Sequence, residues 1–295
     1  MQSFTRGWKF LTQAWKMALA DKDLIQPSIY ALFVGFIVSL IGAVPIIAAA
    51  LLLGTESLFG RVVLGIFGAL LAFAQYSVTY IFSAMTIYLI FGYLSEGDGR
   101  MDKAWAVVRR DWLDILSLAA ASTLVNVVKN MVQGRGRNSN GIRRAIANLI
   151  DTLWTEATYL VLPIMVIEDV NLKDGLKRAT YIVKNNLLLV GISTVGVRLV
   201  TGLIGFVFVA IGLVVGFGIA LPLINLAANA TWLIVAAVFL GVLAASLFFM
   251  AASVISSYTA TAYHTCLYLW ARDVERAGQA ANIPAPAPLA AVLGN

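Results

Sequence analysis

Residues 199–271 contain no Asp, Glu, Lys or Arg, a run too long for the core of a soluble domain. An α-helix rises about 1.5 Å per residue and the hydrocarbon core of a bilayer is about 30 Å thick, so roughly 20 residues make one crossing. The run holds two, divided between Pro222 and Thr231, where a helix-ending proline and the pair Asn225 and Asn229 interrupt it. Its arms, 199–224 and 231–271, must be helical, because in lipid every backbone N–H and C=O has to be paired within its own segment. Two further uncharged runs precede them: Leu24–Thr55, with Pro45, and Val62–Ser95, with Gln75 near its middle. These four are the long crossings. Val62–Ser95 and the last arm would reach about 51 and 62 Å, past the hydrocarbon on at least one side.

Between the crossings the pattern turns amphipathic. Phe4, Trp8, Leu11, Trp15 and Leu19 share one helical face, with Arg6, Lys9, Gln13 and Lys16 elsewhere on the wheel, which predicts an interfacial helix over 1–23. A cleavable leader would carry an apolar core of about 7–15 residues instead. Trp105, Val108 and Trp112 beside Arg109 and Arg110 repeat the theme. A third segment, cappable by Asn171, opposes Leu176, Ala179 and Val183 to Lys173, Lys177, Arg178 and Lys184. The stretches Ala104–Ile115 and Ala179–Val190 align without gaps, and Ala14–Ile25 follows with a small insertion, a match that shared amphipathic composition produces as readily as internal duplication. Over 113–167 the apolar runs are short and broken by Lys129, Asp151 and Glu156, around a turn, Gly134–Arg144, that holds four arginines. This predicts a helical hairpin that either crosses the bilayer or stays on its cytoplasmic surface. The expected fold is an all-α polytopic bundle of four to six spans in one membrane domain, 1–272. A flexible Pro-rich tail, 273–295, follows.

Composition agrees: 60% of residues are apolar and 12% charged, and the mean hydropathy is +0.87. The net charge of +6 sits in short segments between apolar runs, which points to anionic lipid headgroups and not to nucleic acid. Trp8, Trp15, Lys16, Trp105, Arg109, Arg110, Trp112, Lys177 and Arg178 are the candidate lipid-interface residues. Lys and Arg concentrate in the N-terminal segment, in 96–114 and in 168–186, so both termini are expected on the cytoplasmic side of a cell (inner) membrane. The arginines at 135–144 fit that rule only if the hairpin does not cross.

Thr158-Tyr-Leu-Val-Leu-Pro-Ile-Met-Val-Ile-Glu-Asp169, followed by Asp174-Gly-Leu-Lys-Arg-Ala-Thr-Tyr-Ile-Val-Lys184, resembles the YciC-like membrane proteins and the membrane regions of some glycerophosphodiester phosphodiesterases. The shared grammar is a membrane helix ending near a proline, an acidic step and a basic amphipathic helix. The resemblance implies about six membrane helices and transfers no catalytic residue. Thr180 stands where such proteins often carry Trp, and no phosphodiesterase domain is present.

Burying a charge in lipid costs about 2.5–3.5 kcal/mol on insertion scales, so ionisable residues at membrane depth are functional candidates. Arg198, 11 residues after Leu187, has Asp151 and Glu156 as possible counter-charges and Gln75 as a possible pore-lining group. If the true span begins at Leu199, Arg198 is interfacial instead. His264 is the single histidine and Cys266 the single cysteine. Both are read as packing residues, and no metal, cofactor or enzymatic motif is expected. Small residues recur at four-residue spacing: Gly212 and Gly216, Gly241 and Ala245, then Ala252, Ser256 and Ala260. Such faces let membrane helices pack closely, within one chain or between copies. The expected function is therefore a non-enzymatic membrane protein that self-assembles into a homo-oligomer and organises the bilayer. The alternative is a small-solute or ion channel or transporter using Arg198 and the acidic residues.

Overall fold

The computed structural model describes residues 2–55, 57–133, 141–185, 187–226, 230–277, 284–286 and 288–290; the side chains of 2–4, 6, 183, 185 and 187–199 lie outside the description. The described chain is helical and contains no strand. The helices are α1 (Gln2–Ala20), α2 (Gln26–Leu53), α3 (Leu58–Glu96), α4 (Met101–Gln133), α5 (Gly141–Glu168), α6 (Leu172–Asn185), α7 (Leu187–Leu226) and α8 (Thr231–Ala277), with a 3-10 turn at Lys22–Leu24. Six are long and apolar enough to cross a membrane: α2 with the preceding turn, α3, α4, α5, α7 from Val200, and α8. The expected all-α polytopic bundle is the observed architecture, and both arms of the central hairpin qualify as spans by length and composition.

Two expected boundaries move. The segment around Trp105–Trp112 is not a separate interfacial helix but the first turns of α4, because no Gly or Pro separates it from Ile115 onward. The chain also runs helically through Pro222 to Leu226; a proline this close to a helix end removes a single hydrogen bond and breaks nothing further.

Consecutive helices α2–α3, α3–α4, α4–α5 and α7–α8 pack as neighbours, while α3, α5 and α8 also meet one another. Turn chemistry explains the reversals. Ser57 Oγ accepts the Gly60 N–H at 2.9 Å and caps α3. Gly97 closes α3 in the left-handed region at φ 79°, its N–H bonding the Tyr93 carbonyl at 3.0 Å. The Asp21 carboxylate accepts the Gly99 N–H at 2.7 Å, tying the chain's beginning to the α3–α4 turn.

The core lies at one end of the bundle. It joins Phe10, Ala14 and Met17 of α1, Met85, Leu89 and Ile90 of α3, Val108 and Ile115 of α4, Leu160–Val166 of α5, and Tyr258, Tyr263 and Cys266 of α8. The opposite end exposes Leu51 and Leu52 of α2, Leu58 and Phe59 of α3, Val214 and Phe217 of α7, and Trp232 and Phe239 of α8, a surface suited to lipid tails. Helix length reconciles the two ends. The 39 residues of α3 and 47 of α8 span about 58 and 70 Å, so each can cross the hydrocarbon and still contribute some 30 Å to the core.

The α1 helix lies on this core. Its buried stripe is Phe10, Leu11, Ala14, Met17 and Ala18, rotated from the one read off the sequence; Leu19 is 72% exposed. Phe10 packs edge-on against Tyr263 with ring centroids 5.3 Å apart, and Tyr258 donates its hydroxyl to the Ala14 carbonyl at 3.1 Å. Small Ala14 and Ala18 let α1 approach α8, while Trp15 reaches Thr259 Oγ1 at 3.3 Å and Trp8 stays half exposed.

Candidate functional site

Polar residues recur at helical spacing inside otherwise apolar helices: Tyr76, Thr79, Tyr80 and Ser83 on α3; Ser122 and Asn126 on α4; Asp151, Trp154, Thr155, Thr158 and Tyr159 on α5; Ser257, Thr261 and His264 on α8. The bundle turns these four stripes toward one another around a cavity of about 220 Å³, room for a small solute. Ser122 is its organising hydroxyl. It bonds Tyr80 Oη at 2.7 Å and accepts the Trp154 indole N–H at 2.9 Å, joining α3, α4 and α5 at one atom. Thr158 returns its hydroxyl hydrogen to the Thr155 carbonyl at 2.9 Å, which leaves its oxygen's lone pairs for other donors.

His264 forms the α8 wall and is 5% exposed. Its Nδ1 lies 2.7 Å from the Ala260 carbonyl oxygen. A carbonyl only accepts, so Nδ1 carries a hydrogen, and Nε2 is the ring nitrogen left to face Glu156. That Nε2 is buried without a hydrogen-bond partner. It stands 3.8 Å from Glu156 Oε2. Tyr159 stacks on the imidazole at 4.3 Å with planes 7° apart, and Tyr263 meets it edge-on at 5.0 Å; the ring's orientation is set from both sides.

Asp151 and Glu156 thus reach this one region of α5. Asp151 is bound by Lys129 of α4 at 2.8 Å, and Glu156 faces His264. Gln75 turns to α2, donating to the Gly35 carbonyl at 2.8 Å and Ser39 Oγ at 2.6 Å, so it serves helix pairing. Arg198 lies on α7, and its side chain is outside the described residues. Cys266 is fully buried in the core. No group of three or more His, Cys, Asp or Glu suited to a metal occurs among the described residues.

The small-residue faces meet inside the chain. A Cβ on Gly216 would come 2.8 Å from the Gly241 carbonyl oxygen and 3.0 Å from Ala245 Cβ, and one on Gly241 would come 2.6 Å from the Gly216 carbonyl oxygen. A Cβ on Gly212 would crowd Phe248 at 2.9 Å and the Ala245 carbonyl at 3.1 Å. Ala252 is buried, while Ser256 and Ala260 are partly so.

Among the interface candidates, Trp8, Trp105, Trp112, Lys16, Arg109 and Lys177 are exposed, whereas Trp15 is partly covered by Tyr258. Arg110 and Arg178 are engaged. Arg110 pairs with Asp111 at 2.6 Å and Asp169 at 3.2 Å. Arg178 grips both Glu275 oxygens, at 2.7 and 2.5 Å, and stands 3.5 Å from Glu168. The Glu275 hydrogen bonds hold the Arg178 guanidinium above its ordinary range. Tyr268 Oη donates to Glu168 at 2.7 Å. The acidic step Glu168–Asp169 is therefore the joint locking α5, α6 and α8, with Asp169 at φ 55°. On α6 the Lys177 hydrogen bond, helped by Asn171, holds the Asp174 carboxyl below the usual range.

Of the cavity residues Asp151 and His264 stand out in the sequence, whereas the hydroxyl-bearing ones do not, because Ser, Thr and Tyr carry no charge and do not interrupt an apolar run. Their i, i+3, i+4, i+7 recurrence was the available signal. Over residues 58–278 the chain matches the model of a family of unknown function, DUF6159. The matched range includes all four cavity helices. No curated protein matches the chain.

Proposed function

The chain belongs to DUF6159, whose function is unknown, and from its own residues we propose that it is a non-enzymatic membrane protein that binds a small polar solute in the α3–α4–α5–α8 cavity and carries it through the bilayer. The observation behind this reading is a cavity walled by hydroxyls, an amide, an imidazole and a carboxylate within a bundle whose outer surface is apolar. Polar groups inside long apolar helices are costly, and they mark solute and ion pathways where they converge. The end carrying α1, α6 and the Lys/Arg-rich segments would face the cytoplasm of a cell (inner) membrane, with Lys16, Arg109 and Lys177 against anionic headgroups.

A self-assembling membrane organiser is the other reading. The small-residue faces that suggested it are occupied by α7 and α8 of the same chain, so it would have to use the exposed apolar faces of α2 and α7, which lipid tails cover equally well.

The test is binding of a panel of small polar solutes to the protein in nanodiscs, read by indole fluorescence and thermal shift, with liposome flux for each hit. At least one saturable response is expected, and Asn126→Leu, which fills the cavity, should abolish it. A panel with no saturable response, together with a large defined assembly by native mass spectrometry, would replace this reading with the organiser.

A further inference from the structure

We infer that the solute is a small uncharged polyol and that it is seated in a second chamber, walled by serine hydroxyls of α2, α3 and α8, that adjoins the cavity at Thr79, Ser83 and Ser257. The inference rests on the solute-binding reading above and names the solute's chemistry and its seat.

The chamber measures about 220 Å³. Its polar wall is Ser28 of α2, Thr79 and Ser83 of α3, and Ser253 and Ser257 of α8. Thr79, Ser83 and Ser257 line the first cavity as well, so the two spaces meet at one row of hydroxyls. A hydroxyl in an apolar helix commonly returns its hydrogen to the carbonyl one turn back, as Thr79 does to Gln75 at 2.9 Å. Ser28, Ser83, Ser253 and Ser257 make no side-chain hydrogen bond among the described residues. Nor are they sealed off: the only buried side-chain nitrogen or oxygen left unpaired among the described residues is His264 Nε2, so these four hydroxyls face open space. Unpaired and accessible, they are free both to donate to an occupant and to accept from it.

The lining selects against ions. No charged side chain lines the chamber among the described residues, and Asp151, the carboxylate of the first cavity, is already met by Lys129 at 2.8 Å. An ion would exchange its hydration for neutral hydroxyls alone, at a cost nothing here offsets. A solute hydroxyl makes an even exchange, because each serine offers one donor and an accepting oxygen. The rest of the wall is Ala31, Leu32 and Phe82. A small polyol carries both kinds of surface, hydroxyls and C–H, whereas water and urea have no apolar face to set against these three. The chamber holds several times the roughly 30 Å³ that one water occupies, enough for a polyol of about three or four carbons.

The test is saturable uptake of glycerol, urea, methylammonium and acetate into proteoliposomes of the full chain, with osmotic water flow measured in parallel. Glycerol uptake is expected to saturate and to exceed that of protein-free liposomes, and the other three probes to match them. Ser253 lines the chamber and not the first cavity. Ser253→Leu, which fills the chamber, should therefore abolish glycerol uptake. Ser253→Ala, which removes only the hydroxyl and keeps the test open if the leucine variant does not fold, should raise the half-saturating glycerol concentration about two- to tenfold, as loss of one neutral hydrogen bond does. Saturable uptake of urea or of a charged probe without glycerol would leave the solute-binding reading standing and overturn the polyol. Water flow with no probe taken up would mean a chamber that holds water alone, which also overturns it. Glycerol uptake abolished by Asn126→Leu and untouched by either Ser253 variant would overturn the seat. If nothing passes, the polyol inference falls, and the solute panel in nanodiscs decides whether the solute-binding reading falls with it.

Discussion

Ser122 shows how much one side chain settles here. A serine in an apolar helix usually returns its hydroxyl to its own backbone, as Thr123 does to the Ala119 carbonyl at 2.8 Å. Ser122 instead serves Tyr80 and Trp154 from two other helices. Ser122→Ala would leave the Trp154 N–H without its partner and the Tyr80 hydroxyl with Thr158 alone, and with little water available to replace the lost hydroxyl the expected loss is about 1–2 kcal/mol. Reversible unfolding in mild detergent measures this, and an unchanged midpoint would show that the two aromatic groups find other partners. His264 is the complementary case. The expectation of a packing role holds for its burial and its two ring neighbours but leaves Nε2 unaccounted for. Burial alone was legible in the sequence, since a lone histidine in an apolar run has nowhere else to go. Its pairing with Glu156 was not, because 108 positions of chain separate His264 from Glu156 and nothing in either segment refers to the other.

At the scale of elements, the α7–α8 hairpin separates glycines that serve packing from those that do not. Gly216 and Gly241 present bare backbone to each other's helix, whereas a Cβ on Gly205 or Gly218 would meet nothing within 4 Å. Gly216→Ala should therefore force the helices apart and cost about 1–3 kcal/mol. Gly205→Ala should be neutral or slightly stabilising, since alanine gives up less backbone entropy in a helix. Thermal unfolding of the two variants side by side is the check; equal effects would mean that these faces are not in contact within the chain. Four-residue spacing is the same whether the partner helix belongs to this chain or to another copy. For α1 the amphipathic pattern identified a helix with a sticky face, and only the presence of Tyr258 and Tyr263 on α8 determines that protein covers that face.

Across the whole molecule, apolar surface and buried core occupy opposite ends, which fixes where the bilayer can sit. Trp232 is 71% exposed at the start of α8, beside the apolar faces of α7. Trp154 is partly buried against the cavity. In variants that retain a single tryptophan, brominated lipid tails should quench Trp232 strongly and Trp154 weakly. The reverse order would mean that the membrane band lies elsewhere on the bundle.

Apolar runs near or beyond 20 residues leave a chain no stable place but lipid, and lipid leaves the backbone no structure but helix; so the all-α membrane class, the long helices and their approximate ends follow from residue order alone. The excess length of α3 and α8 was visible as well, though not its destination. Which faces meet, where the core gathers and which polar side chains converge depend on long-range packing of surfaces that look alike in one dimension. Serine, threonine and tyrosine scattered through apolar helices become a cavity only when four helices bring their stripes to the same depth. Glu156 becomes the neighbour of a histidine only because α5 lies against α8.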